Sequence, residues 1–474
     1  MKGFVPTPEL VVDLMVDKLF DGRPPARESR VLDPGCGPGA FIAGILRWCE
    51  RRGNAIPQVI GMELDPNRYA EASARFAGSP TVRILQRDFL AAGDMRFDYV
   101  VGNPPYVAIT SLSEAEKRDY RTRFQTACGR FDLYLLFFEQ SLRMLERGGR
   151  LVFITPEKFL YVQTASPLRR ILGLLDIKQL DLVGEETFEG LVTYPTITTV
   201  ENSQRREGAK AAVRLRDGTL RAIDFPRDGS SLLPLLNGYA EAPEGSATLA
   251  EICLRVSCGV ATGADQVFVH ETTGLSPPLQ RFAFPTVSGR QLAPGQEHVR
   301  SEDSLLIPYD RAGSLLPFED LGALGVFLSQ AEQRRRLEHR TCVKRKPWYA
   351  FHDSVPLDEL LQPKLLCKDI TAAPAFWLDR QGEFVPRHSV YYIVPKRAAM
   401  LEAIADYLNS PVAISWLRAN CQRAANGFIR LQSATLKRLP IPESLFTEGS
   451  SIRLASQTSR KVIRNQHAAL LLSR

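Results

Sequence analysis

The sequence predicts an α/β protein: an open, mainly parallel sheet with helices on both faces in the amino-terminal half, then a mixed α+β half. Three observations carry that expectation. Short apolar runs alternate with amphipathic stretches as far as about residue 204, which is a βα rhythm. Glycines, acids or prolines stand where those runs end, and open parallel sheets gather their chemistry at the carboxyl ends of the strands. From about Arg205 the rhythm is lost, and Pro, Gly and Ser cluster through residues 226–246.

Each element follows in order. VVDLMVDKLF (11–20) has helical spacing after Pro6, Thr7 and Pro8, with the threonine available as a cap. Val31 and Leu32 form a short strand that runs through a glycine-dense turn into an amphipathic helix. VIGMELD (59–65), TVRILQRDF (81–89) and FDYVVGN (97–103) read as the second to fourth strands. A helix around 131–147 precedes a fifth strand in GGRLVFITP (148–156). IKQLDLV (177–183) and TYPTITTV (193–200) look like closing strands, in an antiparallel edge hairpin. The expected domains are 1–240, 241–445 and a helical extension over 446–474. Within the second half, QVFV (266–269) and VYYIV (390–394) read as short strands, with helices around 323–340 and 398–419.

Composition narrows the function classes. With 44% hydrophobic residues the chain is too apolar for a disordered protein, and a net charge of +7 suits a polyanionic partner. The 8 cysteines form no CxxC pair and only 6 histidines could join them, so neither a disulfide framework nor a zinc site is expected. No run of eighteen apolar residues occurs, and acids interrupt the first apolar segment, so a soluble, cytoplasmic protein without a secretory peptide is expected.

The chemistry concentrates in two places. In VLDPGCGPGAF (31–41), glycines let backbone approach a ligand closely, and the following helix offers unpaired N–H groups. Glu63 ends the next strand, where a carboxylate can hold both ribose hydroxyls, and Asp88 ends the third, where it can accept from an adenine amine that Phe89 covers. Asp33 is placed for a cofactor ammonium. This acid set suits an adenosyl amino acid better than a dinucleotide. The second place is GNPPY (102–106): the Asn103 amide oxygen and the Pro104 carbonyl are two acceptors in fixed relation, able to take both protons of one NH2. Tyr106 can stack on the attached base, which must first be flipped out of a duplex. Phe131, Tyr134 and Phe188 are candidates for a second aromatic wall, whereas Phe137 and Phe138 are expected to face the core.

In the order FVPTPELVVDLM (4–15), VLDPGCGPGAF, GMELD (61–65), QRDF (86–89) and GNPPY, the chain resembles the gamma-ordered class I S-adenosylmethionine-dependent DNA adenine-N6 methyltransferases, typified by the TaqI modification enzyme. The resemblance implies a Rossmann-like catalytic domain. It places Phe4, Pro6, Thr7, Asp33, Gly35, Gly37, Glu63, Asp88 and Phe89 around S-adenosyl-L-methionine, with Asn103, Pro104 and Tyr106 at methyl transfer. Phe188 in GEETF (184–188) would be the other stacking ring, although one residue is inserted relative to the family pattern. SGRQLAPG (288–295), PKLLCKDIT (363–371) and GFIRLQSATLKRLPIP (427–442) resemble, more faintly, a target-recognition domain.

The expected partner is double-stranded DNA, met by Arg334, Arg335, Arg336, Arg340, Lys344, Arg345, Lys346 and Trp348 in one cluster and by Arg418, Arg423, Arg430, Lys437 and Arg438 in another. No fused nuclease constellation or helicase phosphate loop is found, so any restriction endonuclease would be a separate chain. A monomer is favoured. The readings that compete are an RNA or protein-glutamine methyltransferase, a catalytically inactive DNA specificity module and, more distantly, a nicotinamide-dependent oxidoreductase.

Overall fold

The computed structural model describes residues 4–184, 194–238, 246–296, 298–424 and 427–445. Two compact units divide the chain, Met1–Gly238 and Tyr239–Arg474. The extension at 446–474 and Phe188 lie outside the described residues.

The first unit is built on one nine-stranded sheet. Its strands are β1 (Arg30–Pro34), β2 (Gln58–Glu63), β3 (Val82–Gln86), β4 (Phe97–Gly102), β5 (Leu145–Pro156), β6 (Leu175–Leu182), β7 (Pro195–Gln204), β8 (Ala211–Arg214) and β9 (Leu220–Ile223), in spatial order β3-β2-β1-β4-β5-β7-β6-β8-β9. β3, β2, β1, β4 and β5 are mutually parallel, and β7 runs antiparallel between β5 and β6. The helices are α1 (Glu9–Phe20), α2 (Ala40–Arg52), α3 (Pro66–Arg75), α4 (Glu114–Arg123), α5 (Leu133–Met144) and α6 (Ser166–Gly173).

Alternation along the central strands assigns the two faces. Leu32, Val100, Leu151 and Phe153 join one core, with α5 and α6. Val31, Val101, Val152 and Ile154 join the other, with α1 and α2. Successive strand residues point to opposite faces, so strands buried on both sides must be apolar throughout, as VVG and LVFIT are.

Two expectations for the first unit need correction. The pair 177–183 and 193–200 is antiparallel but does not end the sheet, because β8 and β9 continue it beyond β6. Their brevity, four residues each, hid them in the polar stretch after Arg205. Thr7 does not cap α1: the N-cap is Pro8, without a side-chain cap, and the threonine hydroxyl is engaged elsewhere.

Strand order creates the site. From β1 the chain winds outward through β2 and β3, then returns to β4 on the other side of β1. The carboxyl ends of β1 and β4 therefore flank a topological switch point, where open α/β sheets leave a crevice. A Cβ on Gly102, the last residue of β4, would stand 3.2 Å from Asp33 Oδ1 at the end of β1.

Among the described residues the second unit holds two four-stranded sheets, a three-stranded one and a two-stranded one. Cys253–Cys258, Val390–Pro395, Lys364–Lys368 and Trp377–Asp379 form one antiparallel sheet in that order. VYYIV is thus a strand, but QVFV is not: Asp265–Phe268 is a helical turn and only Val269–Glu271 pairs. The two expected helices are each broken in two, Ala323–Leu328 with Ala331–Glu338 and Leu401–Leu408 with Pro411–Asn420. Lys364 and Asp379 form a fully buried ion pair, 2.5 Å apart, across adjacent strands.

Candidate active site

The turn after β1 lays the floor of the site. Gly35 and Gly37 adopt φ of 73° and 52°, in the left-handed region that favours glycine. A Cβ on Gly37 would come within 2.6 Å of the Phe4 ring, so the absence of a side chain lets that ring seat on the turn. Gly35 and Cys36 donate to the Met62 carbonyl, tying the turn to β2, and Gly37 donates at 3.0 Å to Glu63 Oε2.

Glu63 is buried at the end of β2 and also accepts from the Asp65 backbone at 2.7 Å and from Arg68 at 3.4 Å. The Arg68 guanidinium lies 5.0 Å over the Phe4 ring. Arg68 was not anticipated; the available signal was Asp65-Pro66, which starts α3 with Asp65 accepting from the Arg68 backbone. Asp88 follows β3 and caps the short turn that carries Phe89, whose ring packs on Phe137 with centroids 5.0 Å apart.

Phe4, Gly35, Glu63, Asp88, Phe89 and Asn103 line one cavity of about 290 Å³, with Met62, Leu64, Arg68 and Phe137 among its other walls. Phe137 was expected to face the core; it is largely buried and also forms part of this wall. Phe131 and Tyr134, named as base-stacking candidates, belong to the hydrophobic core. Pro6 is exposed and lies outside the cavity lining, as do Thr7, Asp33, Gly37, Pro104 and Tyr106.

Among the described residues, three of the predicted site residues carry a buried oxygen without a hydrogen-bond partner: Asp33 Oδ2, Asn103 Oδ1 and the Tyr106 hydroxyl. Burial, with the charge of Glu63 second, pushes the Asp33 carboxyl well above the usual carboxylate range. A carboxylate held in that position is an acceptor waiting for a cationic donor. The amide NH2 of Asn103 donates to the Val5 carbonyl and to Thr7 Oγ1, both at 3.1 Å. A carbonyl oxygen can only accept, so the Val5 contact fixes which end of the carboxamide faces the amino-terminal segment. Pro104 is buried beside it, and Tyr106 is half-buried with its ring edge-on to Tyr134. Burial, then the nearby Asp132, raises the Tyr106 phenol, which therefore remains neutral.

The donor set is compatible with S-adenosylmethionine: its ammonium would find the unpartnered oxygen of Asp33, and its adenosyl part an apolar slot whose lining includes Glu63 and Asp88. Asp33→Asn checks the first match. The raised folded-state value means that free-protein stability is fully present below the unfolded carboxylate value and is lost as pH rises through the folded one. The asparagine variant should lose that slope in thermal melts without cofactor, while binding S-adenosylmethionine about 10-fold more weakly by calorimetry.

The basic clusters of the second unit divide by partner. Arg340 is buried and donates to the carbonyls of Leu337, Thr262 and Trp348, so it braces loops and is not available to a phosphate. Lys346 likewise donates to the Phe351 and His352 carbonyls. Arg334 pairs with Glu338 and lies 4.5 Å over Trp348. Arg335, Lys344, Arg345, Arg418, Arg423, Lys437 and Arg438 are exposed.

Comparison with known proteins agrees with the geometry. Residues 58–186 match the family described as Eco57I restriction-modification methylase, and residues 328–441 match the TaqI-like C-terminal specificity domain. The Type II methyltransferase M.PaeR7I of Pseudomonas aeruginosa is 27% identical over 93% of this chain and 86% of its own length. M.BstVI of Geobacillus stearothermophilus is also 27% identical, over 98% and 94% respectively. The Type IIL restriction-modification enzyme MmeI, solved in complex with DNA, shares the fold over 91% of this chain and 64% of its own, with a TM-score of 0.63 at 14% identity. No helix among the described residues is long and apolar enough to cross a membrane. The chain is thus similar to Type II restriction-modification methyltransferases, with an Eco57I-like methylase segment and a TaqI-like specificity domain, and these likenesses support S-adenosylmethionine-dependent DNA methylation.

Proposed function

We propose that the chain methylates the exocyclic N6 of an adenine turned out of a DNA duplex, at a sequence chosen by its second unit. The observation that carries this reading is the Asn103 carboxamide, whose NH2 is tied back to Val5 and Thr7 while its oxygen is buried without a partner. Such an oxygen is an acceptor prepared for an N–H that the protein itself does not supply.

The chemistry follows from that acceptor. Asn103 Oδ1 and the Pro104 carbonyl accept the two protons of one NH2, which draws the nitrogen lone pair out of conjugation with the ring. S-adenosylmethionine, when bound, supplies an electrophilic methyl group on its sulfonium. Tyr106, a neutral phenol, offers its face to the extruded base and offsets part of the stacking lost on flipping. Asp33 would hold the cofactor ammonium, Glu63 the ribose, and Asp88 with Phe89 the adenine. Both Glu63 oxygens already accept, so a two-point grip on the ribose requires Arg68, at 3.4 Å, to give way. Phe188 would be the second stacking ring. The proton leaves to solvent after transfer, so no titrating base is required. In a cell the reaction would belong to the cytoplasm and would protect sites from a separate cognate endonuclease.

Cytosine N4 presents the same kind of amine, and the order of the segments favours adenine. Nucleoside mass spectrometry of duplex DNA incubated with the protein and labelled cofactor tests this: N6-methyladenine is expected, N4-methylcytosine would replace the base assignment, and unlabelled DNA would remove the reading.

Thr7 acts here through Asn103. Thr7→Val keeps the shape but removes the acceptor for the amide, and should lower kcat about 10-fold. Thr7→Ser should restore it, with KM for S-adenosylmethionine little changed in both; a rise in KM alone would instead place Thr7 against the cofactor.

A further inference from the structure

In the second unit a polar trough of about 960 Å³ runs past Gln266, Arg290, Gln291, Lys368, Asp369 and Arg387. Most of its floor groups bond to one another, with Arg387 Nε left without a partner among the described residues. Arg387 reaches Asp303 at 3.1 Å, Gln291 donates to Asp303 at 2.7 Å, and Ser389 accepts from the Gly289 backbone. Groups bound to one another in this way are held still and have little left to offer a ligand.

The rim is different. Arg290 is exposed, and the Lys368 stem passes over Gly289, where a Cβ would meet Lys368 Cγ at 3.8 Å. Arg430 is exposed and forks onto Asp369: Nε reaches Oδ1 at 3.1 Å and Nη2 reaches Oδ2 at 3.0 Å. Both partners are anchored by backbone. Arg430 pairs with Ile370 in the three-stranded sheet, Asp369 N donates to the Ser389 carbonyl, and Leu431 N donates to the Asp369 carbonyl.

A guanidinium has two edges that can donate in pairs, Nε with Nη2 and Nη1 with Nη2. Asp369 occupies the first, and the second, end-on edge has no partner among the described residues. That edge has the spacing and polarity of guanine O6 and N7, the commonest partner of arginine in the major groove. Holding one edge on a carboxylate removes rotamer freedom before binding and aligns the other. A phosphate contact would need no such alignment, because charge alone suffices.

We propose that Arg430, buttressed by Asp369, reads the major-groove edge of one guanine in the recognition sequence, with Arg290 and Lys368 as adjacent donors. The proposal rests on the reading of the chain as a site-specific DNA methyltransferase, and it adds which residues specify the sequence and for which base.

The test is selection of bound duplexes from a randomised pool by the full chain, followed by sequencing, a measurement that does not depend on methyl transfer. The wild type should select a motif containing at least one G·C pair. Arg430→Ala should lose preference at one G·C position by roughly 10- to 100-fold, with the other positions retained. Arg430→Lys keeps the charge but not the fork and should lose the same preference, while Asp369→Asn should lose part of it. Equal weakening at every position, restored by Arg430→Lys, would make Arg430 a phosphate contact and overturn the proposal. An unchanged motif, or one without G·C, would do the same. A wild type that selects no motif would remove the underlying DNA reading as well, an outcome distinct from a wild-type motif that the variants leave unchanged.

Discussion

Asn103→Ala should lower the rate of methyl transfer by roughly 10²–10³-fold, the usual cost of removing one preorganised group that acts on developing charge. Alanine removes the unpartnered oxygen and the two bonds that aim it, to Val5 and Thr7. Single-turnover methylation separates this loss from binding: affinities for cofactor and duplex should stay near those of the wild type. Asn103→Asp is the sharper comparison. It keeps an acceptor but sets an anion against the Val5 carbonyl, so its activity should fall between those of alanine and asparagine. Full activity in the alanine variant would remove Asn103 from the chemistry.

The largest stability effect is expected far from that site, at Lys364. Its ammonium is fully buried against Asp379, whose carboxylate also accepts from the Glu383 and Phe384 backbones at 3.0 Å. Burial outweighs the attraction of Asp379 and lowers the lysine from its ordinary value. Such a pair adds little net stability, yet breaking it strands a charge. Lys364→Met should cost about 3–5 kcal/mol, read as a lower denaturant midpoint for the second unit. Adding Asp379→Leu should recover part of that loss, and a double-mutant cycle gives the coupling. Additive effects would show that the two residues act independently.

Much of the first unit was legible because its code is local. The central strands β4 and β5 are mostly apolar, and the glycine turn, Glu63, Asp88 and Asn103 stand where strands end, so order along the chain already implied proximity in space. What escaped depended on the partner an element meets. β8 and β9 are too short to announce themselves, and only the pairing of β8 onto β6 and of β9 onto β8 makes them strands. Phe137 lies on a helix buried along almost its whole length, and periodicity alone does not say that one ring of it ends at a cavity. The second unit was harder still. Asp369 and Arg430 stand far apart in sequence and meet through strands of two residues, below the reach of any pattern. Arg340 looked like its neighbours and is buried because three carbonyls needed a donor.

Each unit also carries hydrophobic cores of its own, with Leu32, Phe138 and Phe153 in the first and Phe268, Leu305 and Phe351 in the second. The fork of Arg430 on Asp369 is borne by short strands at the surface of the second. Replacing that pair should therefore leave both cores intact and the residues proposed for methyl transfer untouched, so that sequence preference can be altered separately from chemistry.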